Sequence, residues 1–543
     1  MSSSFVAGSV LLPGASNADR ARAVVTAAAH RAQSQKLPGF DFELLDHGSI
    51  AVAHQGGRLE RVQAISTEAN AGAVVYRFSS NPAEAKERAT TILHHYQQGR
   101  GQTEIVDTLR AGELLLLWDR ESEYTLLAYA PGSLCPIHVR SSDGTLAFAS
   151  QPELLSKTGS AAHDLSAMGL VQFLSTGFVP PAGRLKGSND GTAPLEPGTI
   201  LVLRRGVASH WRASPVHNPA KVANTNGLAG LCAALPNAAD YGSLLTGGGL
   251  HSALLTAAMV QSGARPQLVC FGLGAINEYP QAGTLADRLG LPLKILELVP
   301  DNLFTSAVQF GAKGATSPID NLAATLLAVS IHAAGGRART WMTGLGGRSL
   351  WGEGVNADLI DPMAFSGLLR HPGTRSALAS FPYGNQSLHW EPGTALPKAD
   401  DHAAIGLSVL PTLAHILGLA DTSLSAPYCQ RELLEPWVMA SKQAAAAANL
   451  SLRDYLSRLL PVGLSEQYRL SVPGQPLFTR RTLMAGRKDE IIQGLTSARQ
   501  TDMAGHIDLD AAITLANSYY DGNHQQETLL WRLYLLGTWY TRS

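Results

Sequence analysis

From Tyr241 to Leu345 the chain alternates short apolar runs with longer helix-forming segments, and glycine or proline marks the changes. That alternation is the pattern of a parallel sheet whose strands are joined by helices lying on its faces. Strands are expected in YGSLLT, PQLVCFGL, LPLKILEL and ARTWMTGL, and helices after Gly249, over EYPQAGTLADRLG and from Asn321 to Ala334. Ligands of such sheets sit beyond the carboxyl ends of the strands, where Thr246 to Gly249 and Thr343 to Gly347 fall. The first of these segments, LLTGGGLHSALLTAAM (Leu244 to Met259), reads as strand, glycine turn, helix. A turn without side chains at a helix N-terminus lets backbone N–H groups approach an anion closely, and a phosphate or pyrophosphate suits it. His251 stands where a nucleotide-binding loop would carry a carboxylate.

The first 210 or so residues have a different texture. Glu113 to Ser150, ELLLLWDRESEYTLLAYAPGSLCPIHVRSSDGTLAFAS, is a series of short apolar runs split by charged or glycine-containing turns, with SSDG a hairpin signal. A helix is expected at Leu165 to Ser175 and a further hairpin around Arg205 and Gly206. Ser214 to Asn226 is polar, holds two prolines and lacks apolar periodicity, which marks a linker. A chain of 543 residues exceeds one ordinary core, so domains at 1–213 and 227–543 are expected, the last 130 residues being mainly helical.

Lys and Arg number 42 against 43 Asp and Glu, with no long basic run, which disfavours a nucleic-acid partner. Cys135, Cys232, Cys270 and Cys429 lie far apart without a CxxC pair and read as buried thiols of a reducing compartment. The N-terminus has neither a positive n-region nor a strong apolar core, and no apolar run reaches 18 residues. A cytoplasmic protein with no membrane partner is the expectation.

The order of these segments resembles the asparagine synthetase B family over most of the chain. The stretches that carry the resemblance are LLLLWDRESEYTLLAYAPGSLCPIHV with GTLAFASQPELL, LVQFLSTGFVPPAGRLKG with LEPGTILVL, GGGLHSALL, EYPQAGTLADRLGLPLKILEL and TGLGGRSLWGEG. The resemblance implies an α/β protein. An α+β N-terminal domain, an Ntn-hydrolase-like αββα fold of glutaminase type, precedes an ATP-pyrophosphatase-like α/β synthetase domain with a helical C-terminal part. The family's glutaminase needs a cysteine directly after Met1; here Ser2 stands there, so a retained domain without glutaminase activity is implied. The closing HIDLDAAITLANSYYDGNHQQETLLWRLYLLGTWYTRS is similar to the last helices of the lasso-peptide macrolactam synthetases.

Such enzymes are ATP-dependent carbon–nitrogen ligases that adenylate a carboxylate and let an amine displace AMP. A lasso cyclase would adenylate an Asp or Glu side chain of a precursor peptide, join it to that peptide's α-amine, and work beside a leader-peptide protease. ATP and Mg²⁺ are the implied cofactors. Thr246, Gly247, Gly248, Gly249, Ser252, Gly344, Gly346 and Gly347 would hold the nucleotide. The family's loop aspartate aligns on His251, and the Asp-Glu of its second motif on Arg348 and Ser349.

Three readings follow from those replacements. Mg²⁺ prefers oxygen ligands, so it would draw on other carboxylates such as Glu278, Asp320, Glu353 or Asp358, or be carried by ATP with water filling its shell. Alternatively Arg348 and His251 contact the phosphates directly, an Arg fork suiting phosphate oxygens. In the third reading the domain is a catalytically silent scaffold that binds a peptide or a partner enzyme. A β-lactam-synthetase-like small-molecule ligase is a further alternative. Glu278 is a catalytic candidate that also suits a helix N-terminus as a capping charge. Leu345 occupies the position of the family's general-base motif, and Lys442 and Lys488 are lysines near the region of its C-terminal lysine.

Overall fold

The computed structural model describes residues 5–11, 41–45, 50–55, 60–66, 71–77, 83–106, 113–130, 137–142, 145–150, 164–165, 167–177, 186–187, 192–195, 199–204, 207–212, 243–245, 249–261, 263–273, 276–298, 300–312, 318–320, 340–345, 360–380, 423–427 and 479–542, with residues 108, 109, 155, 179, 325 and 331. The linker assigned to Ser214 to Asn226 and most of the helix expected from Asn321 to Ala334 lie outside them.

The first half holds strands β1 (Phe5–Leu11), β2 (Asp41–Leu45), β3 (Ile50–Gln55), β4 (Glu60–Ser66) and β5 (Ala71–Arg77), then helices α1 (Ala83–Gln97) and α2 (Gln102–Val106). Strands β6 (Glu113–Asp119), β7 (Tyr124–Tyr129), β8 (Ile137–Ser142), β9 (Thr145–Ala149) and β10 (Asp164–Leu165) follow. Helix α3 (Ala167–Thr176) precedes β11 (Lys186–Gly187), β12 (Thr192–Leu195), β13 (Thr199–Arg204) and β14 (Val207–Arg212). Two antiparallel six-stranded sheets result, ordered β12-β8-β9-β1-β3-β2 and β14-β13-β7-β6-β5-β4, with β10 and β11 pairing apart from them.

The period of two in ELLLLWD decides how the layers stack. Leu114, Leu116 and Trp118 of β6 face Ile50, Val52, Phe148 and Leu146 of the other sheet. Leu115 and Leu117, pointing the opposite way, meet Ala89, Ile92 and Leu93 of α1. Both faces of β6 are therefore covered, which is why its apolar residues run without a polar break. Helix α1 was not expected from the sequence, although Ala89, Ile92, Leu93 and Tyr96 repeat at helical spacing and do pack on the sheet. Arg88 on α1 donates to the fully buried Glu113 through Nε (3.0 Å) and Nη2 (2.7 Å), fixing the helix to the sheet.

Both expected hairpins form: Ser142 pairs Thr145, and Arg204 pairs Val207. The helix expected from Leu165 starts two residues later, because Asp164 and Leu165 are drawn into pairing with Gly187 and Lys186.

The second half contains β15 (Ser243–Leu245), α4 (Leu250–Gln261), β16 (Gln267–Leu273), β17 (Ile276–Asn277), α5 (Tyr279–Leu289), β18 (Leu293–Glu297), α6 (Pro300–Gly311), β19 (Thr340–Thr343), α7 (Pro372–Ser380) and β20 (Ser423–Ser425). Strands β18, β16, β15, β19 and β20 lie side by side in that order, all parallel. The expected strands and the helices α4 and α5 stand where the alternation put them; β17 and α6 were not foreseen. Helices α8 (Arg480–Met484), α9 (Lys488–Ser497), α10 (Met503–His506), α11 (Leu509–Tyr520) and α12 (Glu527–Arg542) close the described chain.

Those helices share one apolar core with α6 and α3. Phe304 of α6 stacks on Tyr534 at 5.8 Å and meets Trp531 edge-on at 6.1 Å. Leu170, Val171, Phe173 and Leu174 of α3 enter the same core beside Leu530, Leu533 and Leu536. Each such fully buried side chain contributes about 1.5–3 kcal/mol. The packing thus crosses the boundary expected at 214–226.

Candidate functional site

Helix α4 is apolar over nearly its whole surface, and Ala253, Leu254, Leu255, Ala258 and Met259 are all sealed from solvent. A helix of that kind must lie inside the molecule. Its first turn therefore comes to a fixed place at the carboxyl end of β15. Successive strands step from β15 to β16 to β18 in one direction, whereas β19 lies on the other side of β15. The order in which strands are added reverses between β15 and β19, which is where open α/β sheets form their ligand crevice.

The turn after β19 closes on that place. A Cβ on Gly344 would lie 3.3 Å from the backbone N of Ser252 and 3.5 Å from the carbonyl carbon of His251. Backbone meets backbone there, so a side chain would force a shift of a few tenths of an ångström and glycine suits the approach. Leu345 N–H donates to Thr343 Oγ1 (3.2 Å), bending the chain as it leaves the strand. The two glycine-marked segments, far apart in sequence, thus meet through His251 and Ser252 on one side and Gly344 on the other.

Ser252 Oγ donates to the Gly249 carbonyl at 2.9 Å, and Thr256 Oγ1 to the Ser252 carbonyl at 2.8 Å. Helix N-termini present N–H groups without intrahelical acceptors and carry the positive end of the dipole, so the first turn of α4 suits an anion. In this arrangement Ser252 donates to backbone, and offering its hydroxyl hydrogen to a phosphate requires rotation about χ1. His251 is buried in the same turn.

Glu278 precedes α5 at the same end of the sheet and is its N-cap residue, without a side-chain capping hydrogen bond. Burial pushes its carboxyl up to about 7. Cys270 on β16 is a buried thiol, pushed up to about 12 by burial and then by the neighbouring Glu278 charge. Tyr279 donates its hydroxyl to Glu297 of β18 at 2.7 Å.

Asp320 corrects an expectation. It was a candidate metal ligand, but both of its oxygens are taken by guanidinium groups. Arg480 Nε and Nη2 donate to Oδ1 (3.1 Å) and Oδ2 (2.9 Å), and Arg532 Nε donates to Oδ2 (2.7 Å). All three side chains are buried, with exposures of 0%, 6% and 1% for Asp320, Arg480 and Arg532. A divalent cation placed there would meet two fixed positive charges. Among the described residues no group of three or more His, Cys, Asp or Glu side chains comes together to hold a metal ion. Asp320 therefore does not fit a Mg²⁺ site. Thr246, Gly247, Gly248, Gly346, Gly347, Arg348 and Glu353 lie outside the described residues.

The sequence reading missed Arg480 and Arg532, whose partner is 160 and 212 residues away. It also missed β17, although GLGAIN carries two glycines of the kind that let a strand fold back.

No protein-family model matches the chain, and no curated protein matches its sequence. Among solved structures, it is similar to a glutamine phosphoribosylpyrophosphate amidotransferase from B. subtilis, solved with ADP and GMP. That match has 12% identity and a TM-score of 0.21, and covers 64% of this chain and 77% of that one. It is also similar to an allosteric regulatory enzyme of purine biosynthesis, with 11% identity, a TM-score of 0.24, and coverage of 62% and 74% respectively. Scores of that size are low for a shared overall fold. Among the described residues no helix is long and apolar enough to cross a membrane.

Proposed function

We propose that the chain is an ATP-dependent carbon–nitrogen ligase that closes the macrolactam ring of a lasso-type ribosomal peptide. An Asp or Glu side chain of a precursor peptide would be adenylated and then joined to the α-amine of the same peptide. The observation that carries this reading is the meeting of Gly344 with the first turn of α4 at the sheet's switch point. It supports a crevice shaped by backbone, which is what close approach of a polyphosphate requires.

In this reading Gly249, Ser252 and Gly344 form the described part of the phosphate cradle, and Thr246, Gly247, Gly248, Gly346 and Gly347 complete it. His251 and Arg348 stand in for the missing carboxylates by meeting phosphate oxygens themselves. ATP supplies the activation of the carboxylate. The residues around it hold the phosphates and exclude water, and the buried α4 is a rigid platform for both tasks. No step is assigned to Mg²⁺, for which Glu353 remains the proposed carboxylate. The N-terminal sandwich, with Ser2 in place of cysteine, would serve as structure. A precursor peptide is the proposed substrate and a leader-peptide protease the proposed partner.

Calorimetry of ATP binding, with and without Mg²⁺, tests the reading on the wild type and on Gly248→Asp, which places a carboxylate in the glycine run. Binding that the substitution abolishes is the expected outcome, and binding that persists without Mg²⁺ is expected if Arg348 and His251 act directly. Folded protein that binds no ATP, with candidate peptide present, ends the ligase reading and leaves a peptide-binding scaffold.

A further inference from the structure

The rungs of the sheet locate Glu278 more closely than its distance in sequence does. Leu268 and Val269 of β16 are flanked by Leu244 and Leu245 of β15 and by Leu293 and Lys294 of β18. Farther along β16, Gly272 is flanked by Glu297 of β18 and by Asn277 of β17. A strand has two edges, so β17 lies on the β15 side, beyond the end of that strand. Being antiparallel to β16, it runs back toward Leu245, with Ile276 opposite Leu273 and Asn277 opposite Gly272. Glu278, the next residue, comes level with Phe271. That is two rungs, about 7 Å, past the Leu245–Val269 pair. The carboxylate-bearing residue thus stands in line with β15, over the end that leads into α4.

Capping does not explain a glutamate there, since its side chain makes no capping bond. The titratable and charged groups on the elements packed around it are Cys270 of β16, Lys294 and Glu297 of β18, His251 of α4 and Tyr279 beside it. Cys270 is neutral at ordinary pH, and Glu297 is engaged by Tyr279.

We propose that Glu278 is the proton-accepting residue of this crevice: it binds a proton when a polyphosphate occupies the first turn of α4 and releases it when the polyphosphate leaves. The inference rests on the reading of the crevice as a nucleotide site. A carboxyl that burial has already brought to about 7 is carried across neutral pH by a nearby anion. One O–H bond forms on the carboxylate with a proton from solvent, and no other covalent bond changes. Once pyrophosphate has left, the regenerated carboxylate can take the proton that an attacking amine loses as its nitrogen bonds to the acyl carbon.

The test is calorimetry of ATP binding to the full chain at about pH 7.5 in two buffers of different protonation enthalpy, which counts protons taken up per ATP. The wild type is expected to take up roughly half a proton more than Glu278→Gln. Its affinity is expected to weaken on the order of tenfold as pH rises from about 6 to about 8, beyond any change in Glu278→Gln. The pH dependence of the wild type needs no variant to fold, and Glu278→Asp is expected to retain part of it. ATP binding with equal proton uptake in the wild type and Glu278→Gln overturns the inference and leaves the nucleotide site standing. Absence of ATP binding to folded wild type overturns both.

Discussion

Asp320, in the helical core, and Glu278, at the carboxyl edge of the parallel sheet, are carboxyl groups withdrawn from water, the first fully and the second in part, and their surroundings treat them in opposite ways. At Asp320 burial alone would raise the carboxyl, but the charges and hydrogen bonds of Arg480 and Arg532 outweigh it and hold the group below the usual carboxylate range. At Glu278 burial moves the carboxyl upward. A buried charge that is fully paired serves the architecture, whereas one held near neutrality can exchange a proton under working conditions. The core has spent its charge on holding helices together, and the sheet edge has kept one available.

Breaking the first arrangement should give the largest effect. Asp320→Ala strands two guanidiniums in an apolar core and is expected to lower stability by about 3–5 kcal/mol, read from chemical denaturation. Replacing all three residues together, with Asp320→Leu, Arg480→Met and Arg532→Leu, should cost clearly less than the single change. If it costs more, the trio is worth more than its desolvation.

The second arrangement responds to pH with the opposite sign. Because the folded-state value of Glu278 lies above its ordinary one, its contribution is fully present below about pH 4.5 and is lost as pH rises through about 7. Asp320, depressed in the folded state, contributes above its ordinary range, and its contribution is lost on acidification. Glu278→Gln should therefore stabilise the protein above neutral pH by about 2 kcal/mol, a figure discounted for the solvent that still reaches the carboxyl, and should have little effect near pH 4.5. Thermal melts across that range decide it, and a variant no more stable than wild type at pH 8 would contradict the comparison.

The smallest effect is expected at Gly344→Ala. Its Cβ, 3.3 Å from the Ser252 nitrogen, forces a shift of a few tenths of an ångström and should cost about 1 kcal/mol. ATP affinity should fall as well, since the same shift moves the first turn of α4. Unchanged affinity would place the nucleotide elsewhere.

What the sequence made legible was local. The glycine run before Leu250 announced a strand-to-helix turn, and SSDG and the Arg205–Gly206 pair announced hairpins, because turn chemistry is written in adjacent residues. Helix α1 carried its signal too, in Ala89, Ile92, Leu93 and Tyr96, and was overlooked among strands. Asp320 is the opposite case. Nothing within a window around it announces Arg480 or Arg532, and a lone buried carboxylate looks the same from sequence whether it binds a cation of the protein or a metal. The position of Glu278 depends on which edge of β16 receives β17, a fact of register that no spacing of residues in one segment encodes.

The bond from Arg532 Nη1 to the Leu174 carbonyl (2.8 Å) spans 358 residues, and Gly177, with φ +81°, lies so close to Arg532 and Asp320 that a Cβ would touch both. This has a consequence for synthesis on the ribosome. At roughly 5–20 residues per second, α3 emerges some 20 to 70 seconds before the helix that completes its surroundings. Until α6 and α7 emerge partway through that interval, Leu170, Val171, Phe173 and Leu174 lack most of their native surface. The N-terminal sandwich can assemble from its own strands as it is made, but its last helix must wait for the helices of the second half, first α6 and α7 and finally α12. A nascent chain stalled before Pro372 should therefore be one that chaperones hold.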